Sequence, residues 1–469
     1  MNKKHNVIVK QTLAFMAAVG LAFGLVACGD DGSSTTGPKV ECLDNENCLD
    51  DAGSSSSEGD VSSSAIQSAP GSNAQDAPSS SSATAGDSNA SGKPDSGSST
   101  ESGSSQQTES SASVKEYVYL STTPYAADLD VSGDTLFAVF QRYEVADDGF
   151  SAIFNDPGLL AMYKLSDGTL LDTITLVTKN PQVVKVVKGN VYVGTQGEYN
   201  ASWGIDADEN RGIEKIDLKK KKSELWVSGT QLGGGVYMMD VNPVSGKAVV
   251  AVYKAYGNVP AVEVDLTDKS VKTIDGVGDA SGSIYFDRKG GLFYIGDRGS
   301  IDWDTYEMGP MVAYSYNGSK LTALYDDEAG LQPAGFAVIN QEVFVYISDF
   351  ANAGKLYWIE YDEDEGNVLS TANIPFSTDT KIVEVNGGLY VLDRKGKGSI
   401  SKVNASAKAV AWQKAFEDRL NPYDIVAIDN NTAWVALYDV AEIRKISLTD
   451  GSTISSIDTK AFSAKEEKK

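Results

Sequence analysis

Seven times between Leu136 and Asp439 the chain writes a short apolar run that ends in polar residues. The copies are LFAVFQR from Leu136, VYVGTQG from Val191, AVVAVYK from Ala248, LFYIGDR from Leu292, VFVYISD from Val343, LYVLDRK from Leu389 and AWVALYD from Ala433. Their starts lie 55, 57, 44, 51, 46 and 44 residues apart. After each comes another strand such as LLAMYKL or EIRKISL, then a polar turn and a last strand such as SVKTIDG or STISSID. Before each set lies a further strand such as AADLDVS, QVVKVVK or YDIVAID. Four short strands in every 44 to 57 residues is the period of a propeller blade. One four-stranded sheet cannot bury two apolar faces alone, whereas seven around an axis bury them against each other. Val, Ile, Leu, Tyr and Phe fill the strand cores, as sheets covered on both sides require. The expected fold is therefore all-β: a seven-bladed β-propeller over residues 115–469, following a disordered Ser-rich linker. Closure of the ring stays open at this level. EYVYLST from Glu116 either completes the seventh blade from outside or pairs beside its last strand.

One turn recurs almost word for word, as Leu165-Ser166-Asp167-Gly168-Thr169 and Leu448-Thr449-Asp450-Gly451-Ser452, with a looser copy in DLTDKS from Asp265. On these turns the domain resembles the YncE-like and quinoprotein-like propeller superfamily, and the WD dipeptide and repeated Gly-His of the WD40 group are missing. The resemblance is one of architecture and assigns no activity.

The chain opens with a basic stretch (Lys3, Lys4, Lys10), an apolar core from Thr12 to Val26, and small residues. That core is too short to span a membrane comfortably and reads as an export signal over residues 1–27. Leu25-Val26-Ala27-Cys28 resembles the lipobox of bacterial lipoproteins. The resemblance implies that Cys28 carries acyl chains, palmitate among them, and that the chain is held to a membrane by its lipid. By resemblance to the sorting of enterobacterial lipoproteins, Gly29 rather than Asp after the cysteine implies outer-membrane placement, with the domain facing the periplasm or the cell surface. Residues 28–114 are dominated by Ser, Gly, Ala, Asp and Thr and carry 14 acidic against 2 basic residues. So few apolar residues cannot form a core, and a coil of this length reaches roughly 50 Å. Within it Cys42 and Cys48 are expected to form a small local disulfide; zinc is the other reading, although no further Cys or His completes a site.

The one histidine is His5, inside the signal. The segment after it has no Ser-His-Asp triad, no His-ligated zinc and no His base. Paired carboxylates, as in glycosidases, stay open. The whole chain carries a formal charge of −25, of which −16 falls on residues 115–469, so neither nucleic acid nor an anionic membrane surface is an expected partner. The longest loops follow the second strands of blades one, two and four, on the face where binding is expected. They pool Tyr143, Phe150, Phe154, Tyr199, Trp203, Trp303 and Tyr306 with acidic residues such as Asp304. Aromatic faces beside carboxylates suit sugar rings, and the same rings would also serve to pack the loops on the blades. Asp206, Asp208 and Asn210 space their oxygens like the first half of a calcium loop, but Arg211 and Asp217 stand where an EF-hand needs Gly and Glu. They are candidate Ca2+ donors in a looser site. Three functions fit: a non-catalytic display module that binds a polysaccharide or an envelope protein, a carboxylate-based glycosidase or lyase, or a scaffold subunit of an envelope complex.

Overall fold

The computed structural model describes residues 117–119, 126–145, 152–200, 204–254, 259–299, 310–329, 331–349, 354–363, 366–377, 379–416, 420–462 and 465–467. The expected signal, linker, lipidation and disulfide residues (1–114, with Cys28, Cys42 and Cys48) lie outside them. Seven four-stranded antiparallel sheets follow one another; six are built from consecutive strands, and in the first a small hairpin, Glu144–Val145 with Ala152–Ile153, stands between the second and third strands. The first and innermost strands are Ala126–Ser132, Pro181–Val187, Gly235–Val241, Ser283–Asp287, Leu331–Ile339, Thr380–Val385 and Pro422–Ala427. Each lies beside the inner strand of the next sheet, and the seventh lies beside the first. The fold is a seven-bladed β-propeller.

Strand alternation builds the seams. In Thr135–Phe140 of blade one, Leu136, Ala138 and Phe140 pack towards blade seven, while Phe137 and Val139 pack towards blade two. Lys247–Tyr253 of blade three divides the same way: Ala248, Val250 and Val252 face blade two, and Val249, Ala251 and Tyr253 face blade four. Seven apolar clusters result, one for each seam. Both faces of a strand are thus buried, which is why these runs read as near-continuous apolar stretches.

The ring closes differently from either expectation. Blade seven takes all four strands from the end of the chain and blade one takes all four from its start. Tyr117–Tyr119 pairs with neither blade; it meets Lys465–Glu467 in a separate antiparallel pair, Tyr117 opposite Glu467. A short 3-10 turn, Lys460–Phe462, lets the chain leave the last blade strand before that pairing. Closure therefore rests on side chains. Trp434 is fully buried and its indole N–H donates to the Leu165 carbonyl at 2.8 Å. The Lys445 ammonium donates to the Ser166 carbonyl at 2.8 Å, and Phe140 and Phe462 lie 5.1 Å apart between centroids.

The repeated turn explains itself at this seam. In both copies the glycine seats a tryptophan of the preceding blade, and in the first the leucine carbonyl also accepts that indole's N–H. A Cβ on Gly168 would stand 2.7 Å from Ile457 and 3.0 Å from Trp434; one on Gly451 would stand 2.7 Å from Trp412. Both glycines are left-handed, with φ 75° and 72°. In the looser copy Lys269 takes that position at φ 69° and sets its ammonium 3.8 Å from the ring centre of Trp226, whose N–H reaches the Leu266 carbonyl at 2.9 Å. Lys408, φ 50°, stands over Trp358 in the same manner at 4.7 Å. A left-handed lysine on a partner's indole replaces the glycine.

Candidate functional site

Along the axis runs a cavity of about 850 Å³ lined by the inner strands of all seven blades. Five of these strands carry a β-bulge near their first residues, at Ala126/Asp128, Pro181/Val183, Val236/Met238, Pro333/Gly335 and Pro422/Asp424. A bulge adds one residue on one strand and re-aims its side chain. Gln182, Tyr237 and Tyr423 sit at these points and line the cavity.

Deeper in the channel the lining is charged. Inner-strand aspartates accept backbone N–H groups of the neighbouring blade: Asp424 from Leu129 at 3.1 Å, Asp128 from Val184 at 2.9 Å, Asp130 from Val186 at 2.6 Å and Asp240 from Phe286 at 2.8 Å. Inner strands of adjacent blades share no ladder, so these carboxylates satisfy backbone donors that would otherwise be orphaned. Lys381 pairs with Asp424 at 2.6 Å; Lys185 lies 3.9 Å from Asp128 and 3.7 Å from Asp240. Burial pushes the Asp128 carboxyl up to about 7, against the pull of Lys185. Burial opposes charge on Lys185, but Asp240, Asp128 and Asp130 outweigh it and hold its pKa above the usual lysine value. These channel groups were not singled out in the sequence. Their signal is a charged residue inside otherwise apolar strands, as in AADLDVS, QVVKVVK and YDIVAID.

The mouth of the channel is polar and aromatic. After each of four second strands, a backbone N–H bonds the loop that enters the same blade: Gln196 to the Asn180 carbonyl, Arg298 to Asp279, Arg394 to Asp379 and Tyr438 to Asn421, all at 2.9–3.0 Å. In blades four and six the side chains at these paired positions are Arg298 with Asp279, at 2.5 Å, and Arg394 with Asp379. The guanidinium groups at the mouth are therefore neutralised by their own blades. Tyr423 stacks on Tyr438 with centroids 5.1 Å apart, and the Arg394 guanidinium lies 4.9 Å from the Tyr423 ring centre. Burial, with Tyr423 nearby, pushes the Tyr237 hydroxyl up to about 12, so it remains a neutral donor.

Of the aromatic residues expected on the binding face, Tyr143, Phe154 and Tyr199 all line this cavity. Phe154 is 4% exposed and packs 5.6 Å from Tyr143 between centroids, beside a small hairpin of Glu144–Val145 and Ala152–Ile153. Tyr199 is half-buried, edge-on to Tyr253 at 6.1 Å. Phe150, Trp203, Trp303, Asp304 and Tyr306 lie outside the described residues. The proposed cation donors do not converge. Asp208 gives both oxygens to Arg211, at 2.9 and 3.0 Å, and Asp206 accepts from Asn200 at 2.9 Å. Asn210 donates its backbone N–H to Asp208 at 2.8 Å. Among the described residues no group of three carboxylate, His or Cys side chains is placed to hold a metal ion. This stretch instead anchors a loop: Arg211 also reaches the carbonyls of Gln196 and Glu198, at 3.2 and 2.9 Å.

No protein-family model and no curated protein matches the chain. Among solved structures it is similar to the computationally designed Ika8 protein, with 11% identity over 73% of this chain and 90% of that one and a TM-score of 0.44. It is also similar to the β-propeller domain of Myceliophteria thermophila Cps50 (Swd1), with 10% identity over 72% and 97% and a TM-score of 0.43. The blade count rests on the strand pairing itself.

Proposed function

We propose that the chain is an envelope lipoprotein, anchored in the outer membrane through Cys28, that displays its propeller to bind a glycan without chemical turnover. The supporting observation is the channel mouth, where Tyr143, Tyr199, Tyr237, Tyr423 and Tyr438 line a cavity of mixed polar and apolar walls. Tyrosine rings offer flat faces to the CH face of a sugar, and nearby amides and guanidinium groups offer donors to its oxygens. An envelope protein is the alternative ligand, with the propeller then acting as a scaffold. The test is a glycan array probed with the full chain, kept in detergent with its anchor. Retention of particular sugars supports the reading; a blank array, with pull-down of one envelope protein instead, replaces it.

A second reading keeps one specific observation in its favour. Asp128, with its raised pKa, sits in a channel with Asp130, Asp240 and Asp424, and a carboxyl held protonated near neutrality can act as a general acid. Each of these carboxylates already accepts a backbone N–H across a seam, which suits a structural role better. Release of reducing sugar by the wild type and its loss in Asp128→Asn would favour the enzyme.

A further inference from the structure

At the mouth position where blades four and six hold Arg298 and Arg394 with their aspartates, blade two holds Gln196 with Asn180. There the pairing leaves donors over. The Gln196 side-chain oxygen accepts three bonds, from Asn180 Nδ2 at 3.2 Å, Gln182 Nε2 at 3.2 Å and the Tyr199 hydroxyl at 3.1 Å. Its Nε2 is buried, in a residue 1% exposed, and donates to nothing among the described residues.

The amide orientations are not free to reverse. Asn180 Nδ2 also donates to the Gly197 carbonyl at 3.1 Å, which fixes that amide, because a backbone carbonyl can only accept. Its oxygen then faces Gln182 Nε2 at 2.7 Å, which fixes Gln182. Two N–H donors now point at Gln196 Oε1, and flipping Gln196 would set donor against donor. Arg211 holds the backbone on the other side, and Gly235 lies so close that a Cβ there would stand 2.4 Å from the Gln196 carbonyl. Gln196 is thus a positioned, buried, unspent pair of N–H donors in the wall of a cavity, and such groups in native proteins meet a partner.

Accepting a glycan ligand at the mouth, the geometry points to Gln196 Nε2 as the donor of a subsite for an acetamido sugar, its amide carbonyl oxygen facing Gln196 and its ring against Tyr237. A neutral carbonyl fits better than a carboxylate. Arg298 and Arg394 are already neutralised by Asp279 and Asp379, and the channel below sets five carboxylates, Asp128, Asp130, Asp240, Glu384 and Asp424, against three cations, Lys185, Arg288 and Lys381. A uronate would meet a field of its own sign.

The test is calorimetric titration of the full chain in detergent with tri-N-acetylchitotriose, cellotriose and trigalacturonic acid. Chitotriose is expected to bind about tenfold or more tightly than the other two. Gln196→Glu replaces the donor with an acceptor of equal size and is expected to bring chitotriose down to the cellotriose level. Equal affinity for chitotriose and cellotriose, or full chitotriose affinity in a folded Gln196→Glu, overturns the subsite and leaves the glycan reading standing. A blank glycan array ends that reading and the subsite with it. If Gln196→Glu does not fold, the ratio between the two sugars on the wild type still decides.

Discussion

Single residues in this propeller hold its seams, and two of them make opposite claims about backbone strain. Gly168 is left-handed and pressed against Ile457 and Trp434, so Gly168→Ala meets both a forbidden φ and a collision. A loss of ~1–3 kcal/mol in denaturant unfolding is expected. Lys269 occupies the same place in blade three with the same sign of φ, but its ammonium rests on Trp226. Lys269→Gly relieves the strain and loses the cation–π contact, two effects of about 1 kcal/mol each, so its stability should hardly move. Asp128 gives a pH prediction of definite sign. Its folded pKa, about 7, is above its ordinary 3.8, so the native state binds that proton more tightly than the unfolded chain. The stabilisation is complete below about pH 4 and is lost as pH rises through 7. Lys185 and Lys381 are also shifted upward, so their contributions persist well above this window. Asp208, shifted downward chiefly by its bonds from Arg211, loses its contribution only at more acid pH. Between pH 4.5 and 8 the melting temperature should fall with rising pH, by the equivalent of roughly 1–3 kcal/mol once water in the channel is allowed for. Asp128→Asn keeps an oxygen for Val184 and should flatten that slope; an unchanged slope would place the titration elsewhere.

At the scale of elements, what the sequence made legible was whatever strand alternation writes into it. Seven runs such as LYVLDRK and AWVALYD carry the period because each must bury both faces, and all seven are second strands. Closure was not legible, because YVY at Tyr117 has the composition of a blade strand and only pairing distinguishes it. The bulges were hidden for the same reason: a bulge at Pro422/Asp424 is a matter of register, and register decides that Tyr423 faces the axis. Gln196 could not be chosen in advance, since its interest comes from Asn180 and Gln182 meeting it in space. The calcium-like spacing at Asp206 misled because Arg211, which breaks the motif, is the very residue that takes both Asp208 oxygens. Closure by side chains has a measurable consequence. A three-residue, two-stranded pair adds little stability alone. Ending the chain after Phe462 should cost less than about 1 kcal/mol, whereas Trp434→Ala, at the seam between blades seven and one, should cost ~3–5 kcal/mol. Thermal unfolding of both variants compares them; a truncation as costly as the tryptophan loss would mean that the terminal pair, rather than the seam, locks the ring.

For the whole molecule we propose a lipid-bearing start and an acidic tether ahead of a rigid propeller whose axis carries the cavity. The start has its own test. Cys28→Ser should move the protein from the membrane fraction to the soluble one, and quantitative retention on membranes would remove the lipid anchor from the account. The propeller's contribution is preorganisation: seven seams hold the inner strands, and the inner strands hold Gln196, Tyr237 and Tyr423 around one opening. The central claim is that this opening is where ligand binds. Hydrogen–deuterium exchange on the full chain, with and without a sugar that the array returns, tests it most directly. Protection is expected in residues 178–182, 194–200, 235–238 and 421–424, which border the mouth. Measured binding with protection confined to the outer strands of the blades, and none in those four segments, would contradict it.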